Sequence, residues 1–358
     1  MKIINLSSIA NPISISVQNP SQSDYDRFIG LEHYDSGEPV ITRFQGTELL
    51  TTSAKAFKAN DILIARRNVY LKRAGIVFFD GITSGDSIIL RLKEDTQKTI
   101  GYSREDLIRY IPFMLNSEHF WIYANKHADG MNSKRISKDT LLEYEFELPS
   151  IDEMRDISDK LWAAYRLKEA YKKLLVATDK MVKSQFIEMF GDCANSIKLS
   201  SLCSTFADGD WIESKDQSEL GIRLIQTGNV GNGFFKDKEE KSRYISEETF
   251  DNLHCTEIYP GDILVSRLPD PIGRACIIPQ GLGRTITAVD CTIIRLKDII
   301  LPDYFIAYTM TPSYVAQINE VTTGTTRRRV SRANLGNILI PCPSIAKQQQ
   351  FVAIAKQA

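Results

Sequence analysis

The chain repeats itself, and whatever it folds into must accommodate the same segment twice. Residues 60–75 read NDILIARRNVYLKRAG and residues 261–276 read GDILVSRLPDPIGRAC, so Arg66 answers to Arg267, Arg73 to Arg274 and Ala74 to Ala275. GDSIILRLK at 85–93 then meets VDCTIIRLK at 289–297, and GMNSKRISKDTL at 130–141 meets GTTRRRVSRANL at 324–335. The blocks close on LPSI at 148–151 and CPSI at 342–345. Four blocks in one order point to tandem duplication of a whole domain, because the period far exceeds that of solenoid repeats.

A chain of 358 residues can give each copy its own core. With 43% hydrophobic and 25% charged residues it belongs with globular chains. No apolar run is long enough to span a membrane, and MKIINLSSIANPISISV lacks the apolar stretch of a signal peptide. The six cysteines form no C-x-x-C pair, and the first copy has none, which favours buried thiols in a cytoplasmic protein over a disulfide or zinc framework. A net charge of −1 argues against indiscriminate binding to polyanions while leaving a local basic site possible.

The pattern predicts an α+β fold. Residues 62–65, 75–79 and 88–92 read as strands, mirrored by 262–266, 275–278 and 292–296. A helix is expected after Ser103, with Pro112 marking a kink or boundary, and its counterpart is expected near 304–310. Between the copies, residues 152–190 show apolar residues at three- and four-residue steps behind a Ser150/Glu153 capping box, with no interior Gly or Pro. Nearly forty residues of helix make a rod of about 60 Å, whose stripe calls for a partner helix. A second helix opens at Ala346. The expected divisions are a first domain over 1–149, a helical spacer over 150–192, a second domain over 193–343 and the start of a distal spacer over 344–358.

Over essentially its whole length the chain resembles the specificity subunit of type I restriction–modification systems. The resemblance is carried by RLIQTGNVGNGFF (223–235), GDILVSR (261–267), GRACI (273–277), GTTRRRVS (324–331), IPCPSIAKQQQF (340–351) and SQFIEMFGD (184–192). It implies two target-recognition domains that each read one half of an asymmetric bipartite site on double-stranded DNA. Two helical spacers would pair as an antiparallel coiled coil and dock methyltransferase subunits, the distal one being short here. A translocase–endonuclease subunit would complete the complex. S-adenosylmethionine, ATP and magnesium would belong to the partners, and this chain would hold no cofactor. A truncated assembly or inhibitory protein, binding methyltransferase subunits or itself without productive DNA reading, is the alternative that the short distal helix suggests.

On that reading the densest cationic cluster, Arg327, Arg328 and Arg329 with Arg332, suits phosphates or guanine edges. Its counterpart is Lys134, Arg135 and Lys138. Lys72 and Arg73, like Arg66 and Arg67, are weaker candidates: arginines present in both copies, Arg66 with Arg267 and Arg73 with Arg274, suit the shared fold or phosphate contact better than base choice, and of these the structural role is favoured. Gln226, Thr227 and Asn229 could read adenine edges, although a Gly- and Asn-rich turn needs no function to explain it. Trp121 and Trp211 read most simply as packing residues. Nothing resembles a P-loop, a methyltransferase Asn/Asp-Pro-Pro-Tyr run or a dinucleotide fingerprint, and Asn11-Pro12 lacks the second proline. His33, His119, His127 and His254 form no metal-binding spacing, which disfavours a self-contained enzyme.

Overall fold

A computed structural model describes residues 2–131 and 133–357; Met1 and Ala358, the outer limits expected for the first domain and the distal spacer, lie outside them. The chain divides into two compact units, one ending at Tyr171 and the other starting at Lys172.

The first unit is built on a four-stranded antiparallel sheet in the order Ala10–Ile13, Ser87–Leu92, Ile62–Ala65, Ala74–Ile76. The continuous apolar run Ile62–Ala65 is buried along its whole length, as a strand covered on both faces must be. A second sheet holds Ile15–Val17, Ala54–Phe57, Gly81–Thr83 and Phe28–Ile29, the last pair running parallel. Lys2–Asn5 pairs with Glu145–Leu148, tying the start of the unit to the residues just before the long helix.

The second unit repeats this plan. Its main sheet runs Cys203–Asp208, Cys291–Leu296, Ile263–Ser266, Ala275–Ile277, the same order with the same antiparallel pairings. Arg243–Ile245, Ile222–Ile225 and Thr285–Thr287 form a smaller sheet whose last pair is again parallel. Ser196–Lys198 pairs with Leu339–Pro341 as the closing ribbon.

The aspartate of each repeated Asp-Ile-Leu has one purpose in both units. Asp61, 1% exposed, accepts from Arg91 Nε and Nη2 at 2.7 Å each and from the Lys58 N–H at 2.8 Å. Asp262, 3% exposed, accepts from Arg295 at 2.8 and 2.6 Å and from the Tyr259 N–H at 2.9 Å. Burying a carboxylate is tolerable only when its charge and lone pairs are met, and this fork meets them.

The helix Arg104–Met114 is capped by Ser103, whose Oγ accepts from the Asp106 N–H. Pro112 does not break it, because it stands in the last turn, where few further backbone bonds are at stake; Asn116 Nδ2 donates to its carbonyl at 2.8 Å. The counterpart helix is Pro302–Thr309, opened by a proline that suits a first-turn position. Two further helices, Glu118–Lys126 and Pro312–Val321, went unread in the sequence, although Ser117 and Thr311 cap them.

The long helix is a single element, Ile151–Phe190, closed at its start by the expected capping box: the Ser150 N–H donates to Glu153 Oε2 at 3.0 Å and the Glu153 N–H to Ser150 Oγ at 3.4 Å. Met154 is buried in the first unit, and Trp162 Nε1 donates to the Arg109 carbonyl at 2.9 Å while its ring packs edge-on to Phe113. Phe186 and Phe190 are buried in the second unit against Tyr304 and against Phe351 of the helix Ile345–Gln357. Leu167, Leu174, Leu175 and Val176 are all at least 56% exposed.

Arg155 fixes the start of this helix by a two-pronged contact with Asp106, at 2.9 and 3.0 Å. That contact above all, with help from the Ser103 hydroxyl and against the opposing effect of burial, holds the Asp106 carboxyl below the ordinary range. A carboxylate with a lowered folded pKa adds stability above its unfolded value, near 4, and loses it as pH falls through the folded value. An Asp106→Asn variant should therefore melt earlier than the parent at pH 7, with the gap closing as pH drops below about 4. Urea melts at both pH values check this; a gap independent of pH rejects it.

Candidate nucleic-acid interface

Each unit presents a short basic hairpin at the same place in its fold. In the second unit Thr323 and Arg329 exchange backbone bonds at 2.9 Å each way. Gly324 turns the chain at φ +97°, where an added Cβ would stand 2.7 Å from the Arg327 carbonyl oxygen, so no larger residue fits the turn. The following chain is tied to the end of the central strand, with the Val330 N–H donating to the Arg267 carbonyl at 3.2 Å. In the first unit Asp129 and Arg135 exchange bonds at 2.9 and 2.8 Å, and Gly130 has φ +104°. Asn68 N–H donates to Lys134 O at 2.7 Å, and Ile136 N–H to Arg66 O at 3.0 Å.

These anchors push the cationic tips outward. The Arg327 side chain is 78% exposed and meets Asp290 only at 4.0 Å. Arg328 lies 3.6 Å from Asp270 and 3.3 Å from Asn319 Oδ1, and Arg329 is exposed. Arg332 opens a short helix, 3.6 Å from Asp208. In the first unit Arg135 lies 3.8 Å from Asp86, while Lys134 and Lys138 are exposed. Ion pairs this long and this wet are worth about 0–1 kcal/mol, so the cations can turn to a phosphate at little cost.

Other candidates are committed to the fold. Arg73 Nη1 and Nη2 donate to the carbonyls of Leu31 and Arg67 at 3.0 and 3.1 Å. Its counterpart Arg274 spends its whole guanidinium on the carbonyls of Val230, Pro269, Pro271 and Thr227, at 2.7 to 2.9 Å. An arginine stitching loops together in both units is structural, and Arg73 is withdrawn as a DNA contact. Asn229 is withdrawn as well: buried, it accepts from the Gln226 N–H and donates to the Lys236 carbonyl, each at 3.0 Å, holding its own turn. Gln226 and Thr227 stay partly exposed beside it, and Lys72 is exposed in a left-handed conformation at φ 50°.

Two aromatic residues also stand out. Trp121 is buried at 1%, but Trp211 is 71% exposed, so it is not a packing residue. Its setting in the polar run DGDWIES was the sequence signal for a loop. Phe234, 57% exposed, carries Lys236 Nζ at 5.6 Å over its ring. The six cysteines are free, and five are buried. Among the described residues no group of His, Cys, Asp and Glu side chains could hold a metal, and no helix is long and apolar enough to cross a membrane.

Residues 195–357 match the family model of the type I restriction modification DNA specificity domain. No curated protein matches the chain. Among solved structures, the type I restriction–modification S subunit of M. genitalium superposes with a TM-score of 0.54 at 13% identity, covering 99% of this chain and 89% of that one. A chain from a structure describing assembly and conformational transition of the type I R-M system gives 0.52 at 16% identity, with coverages of 99% and 89%. Likeness at such identities is one of fold. Residues 195–357 thus match the type I restriction modification DNA specificity domain, and the sheet order and buried ion pair of that segment recur in residues 2–131 and 133–148.

Proposed function

We propose that this chain is the DNA-reading subunit of a type I restriction–modification complex, in which each unit reads one half of a bipartite target. The observation that carries this is the basic hairpin built twice at one position of a duplicated fold: Arg327, Arg328 and Arg329 in one unit, Lys134 and Arg135 in the other. Shared backbone geometry supplies phosphate contact in both. Different side chains on the two hairpins and their neighbouring loops suit different half-sites, so the target is asymmetric rather than palindromic.

The chain acts without chemistry of its own. Methyl transfer, with S-adenosylmethionine, belongs to methyltransferase subunits that dock on the long helix, whose exposed Leu167, Leu174 and Leu175 offer apolar contact. ATP, magnesium and DNA cleavage belong to a translocase–endonuclease subunit, and the assembly works in the cytoplasm.

Exchanging residues 1–149 for the same segment of another specificity subunit, within the complex with methyltransferase subunits, should change one half of the methylated sequence and leave the other intact. Sequencing of methylated sites after the exchange reads this directly. A change in both halves, or in neither, overturns the two-reader scheme.

A further inference from the structure

The first unit contains a cavity of about 320 Å³ whose walls carry three cations, Lys55, Arg66 and Lys138, with Ser14, Ile88 and Asp139 beside them. The cations are poorly compensated. Lys55 Nζ donates to two neutral acceptors, the carbonyls of Gly85 and Ser87, at 3.1 Å each. Burial, and then the repulsion of Arg66 and Lys138, pull the Lys55 pKa down from its ordinary value; Asp86 offsets this only in part. Asp86 itself faces Arg67 at 3.9 Å and Arg135 at 3.8 Å. Arg66 is half-buried, its Nε has no hydrogen-bond partner, and among the described residues no carboxylate pairs with it.

The second unit shows what such a cluster looks like when a carboxylate faces both cations. Arg267 is the counterpart of Arg66, and Arg332 that of Lys138. Both face one carboxylate, Asp208, at 3.1 and 3.6 Å. Arg267 also leaves its Nε unpartnered, but its Nη2 donates to the Val289 carbonyl as well as meeting Asp208.

Strand register identifies the residue at the equivalent place in the first unit. Asp208 pairs with Thr292, which lies opposite Val265. In the first unit Ile88 lies opposite Ile64, and Ile13 pairs with Ile89. Ser14 is the next residue beyond the end of that ladder, so the same register carried one step further would set it against Ile88, and both residues line the cavity. The first unit therefore keeps both cations, adds Lys55, and has a serine where the second unit has Asp208; its own cavity carboxylate, Asp139, stands where the second unit has Ala333.

We propose that this cavity is a binding site for one phosphate-type oxyanion, which takes the place that Asp208 fills internally in the second unit, and that a backbone phosphate of DNA is its occupant. The site rests on the cavity and the internal comparison alone; only the source of the phosphate rests on the DNA-reading function. An oxyanion seated there accepts from Arg66, from Lys138 and from the Ser14 hydroxyl, and removes the mutual repulsion of the three cations. The two units would then grip DNA differently. The first unit would add a recessed phosphate socket to its exposed hairpin, and the second would rely on its hairpin alone.

Thermal melting of the full chain in inorganic phosphate and in chloride, at equal ionic strength, tests the site. The wild type should be stabilised by phosphate over chloride. Ser14→Asp, which supplies the missing carboxylate, should melt higher than wild type in chloride and lose the phosphate response. Arg66→Met should lose that response too, by removing the cation. A wild type indifferent to phosphate, or a response that survives in both variants, overturns the site.

DNA titration over a range of salt then tests the source. Ser14→Asp should weaken binding about tenfold at 0.1 M salt and flatten the slope of log K against log salt by about 1, the share of a single phosphate contact. A lost phosphate response with an unchanged slope overturns the DNA assignment in favour of a free anion. A wild type that responds to phosphate but binds no DNA sinks the DNA-reading function while leaving the socket in place.

Discussion

Replacing Arg91 by methionine is expected to destabilise the first unit by about 4–5 kcal/mol, a large fraction of the 5–15 kcal/mol that holds an ordinary domain together. The reason is an asymmetry between the partners. Asp61 is 1% exposed, and among the described residues only the Lys58 N–H donates to its carboxylate apart from Arg91. Removing Arg91 strands a carboxylate in the interior with most of its lone pairs unmet. Removing Asp61 instead strands a guanidinium that is 27% exposed and can turn partly to water, so Asp61→Ala should cost less, about 3 kcal/mol. Replacing both with apolar residues of similar size should recover much of the loss, because no charge is then left buried. Urea melts followed by the fluorescence of Trp121 and Trp162, both in this unit, give the three values. If Asp61→Ala proved the costlier single change, or if the double replacement were as unstable as the sum of the singles, the buried fork would not be what joins the central strand to its neighbour.

That pair also shows where sequence alone falls short. The repeated Asp-Ile-Leu and Ile/Leu-Arg-Leu-Lys blocks are visible as text, and they turn out to be adjacent strands of one sheet, Ile62–Ala65 with Ser87–Leu92 and Ile263–Ser266 with Cys291–Leu296. Their apolar runs betray the strands, but nothing local says that Asp61 meets Arg91 across the sheet. The long helix was legible because its signals are local: a capping box at Ser150 and Glu153, an apolar stripe, and no interior breaker. The second sheet of the first unit was not, since Phe28–Ile29 spans two residues and Ala54–Phe57 alternates weakly, so both depend on tertiary contacts for their definition.

The same limit governs the site. Arg73, Arg274 and Arg327 look alike in a sequence, yet two of them are consumed by loop carbonyls and the third stands in solvent. Burial and partner geometry decide that difference, and both arise from chain far from the residue itself. Ser14 and Asp208 fall outside all four repeated blocks. Their equivalence comes from strand register, a property of the folded sheet.

Replacing Arg327, Arg328 and Arg329 together by alanine is expected to lower DNA affinity by about 10²–10³ at 0.1 M salt while leaving the fold intact. Stability should hardly change, because Arg327 is 78% exposed and its pairing with Asp290, like that of Arg328 with Asp270, is long and solvated. Binding should change strongly, because each phosphate contact contributes a slope of about 0.9 to log K against log salt through the counterions it releases. Extrapolated from 1 M to 0.1 M salt, one contact is worth nearly a factor of ten, and three contacts give the expected loss with a slope flatter by about 2–3. Titrations at several salt concentrations, alongside a thermal melt of the variant, measure both quantities. Phosphate contact further requires that the preferred sequence stay the same, since backbone contacts position a protein without reading bases. If one arginine instead forks onto a guanine edge, its single replacement will relax one base position by about 1–3 kcal/mol with little change in slope. An unaltered slope together with an unaltered preference would remove the hairpin from the interface altogether.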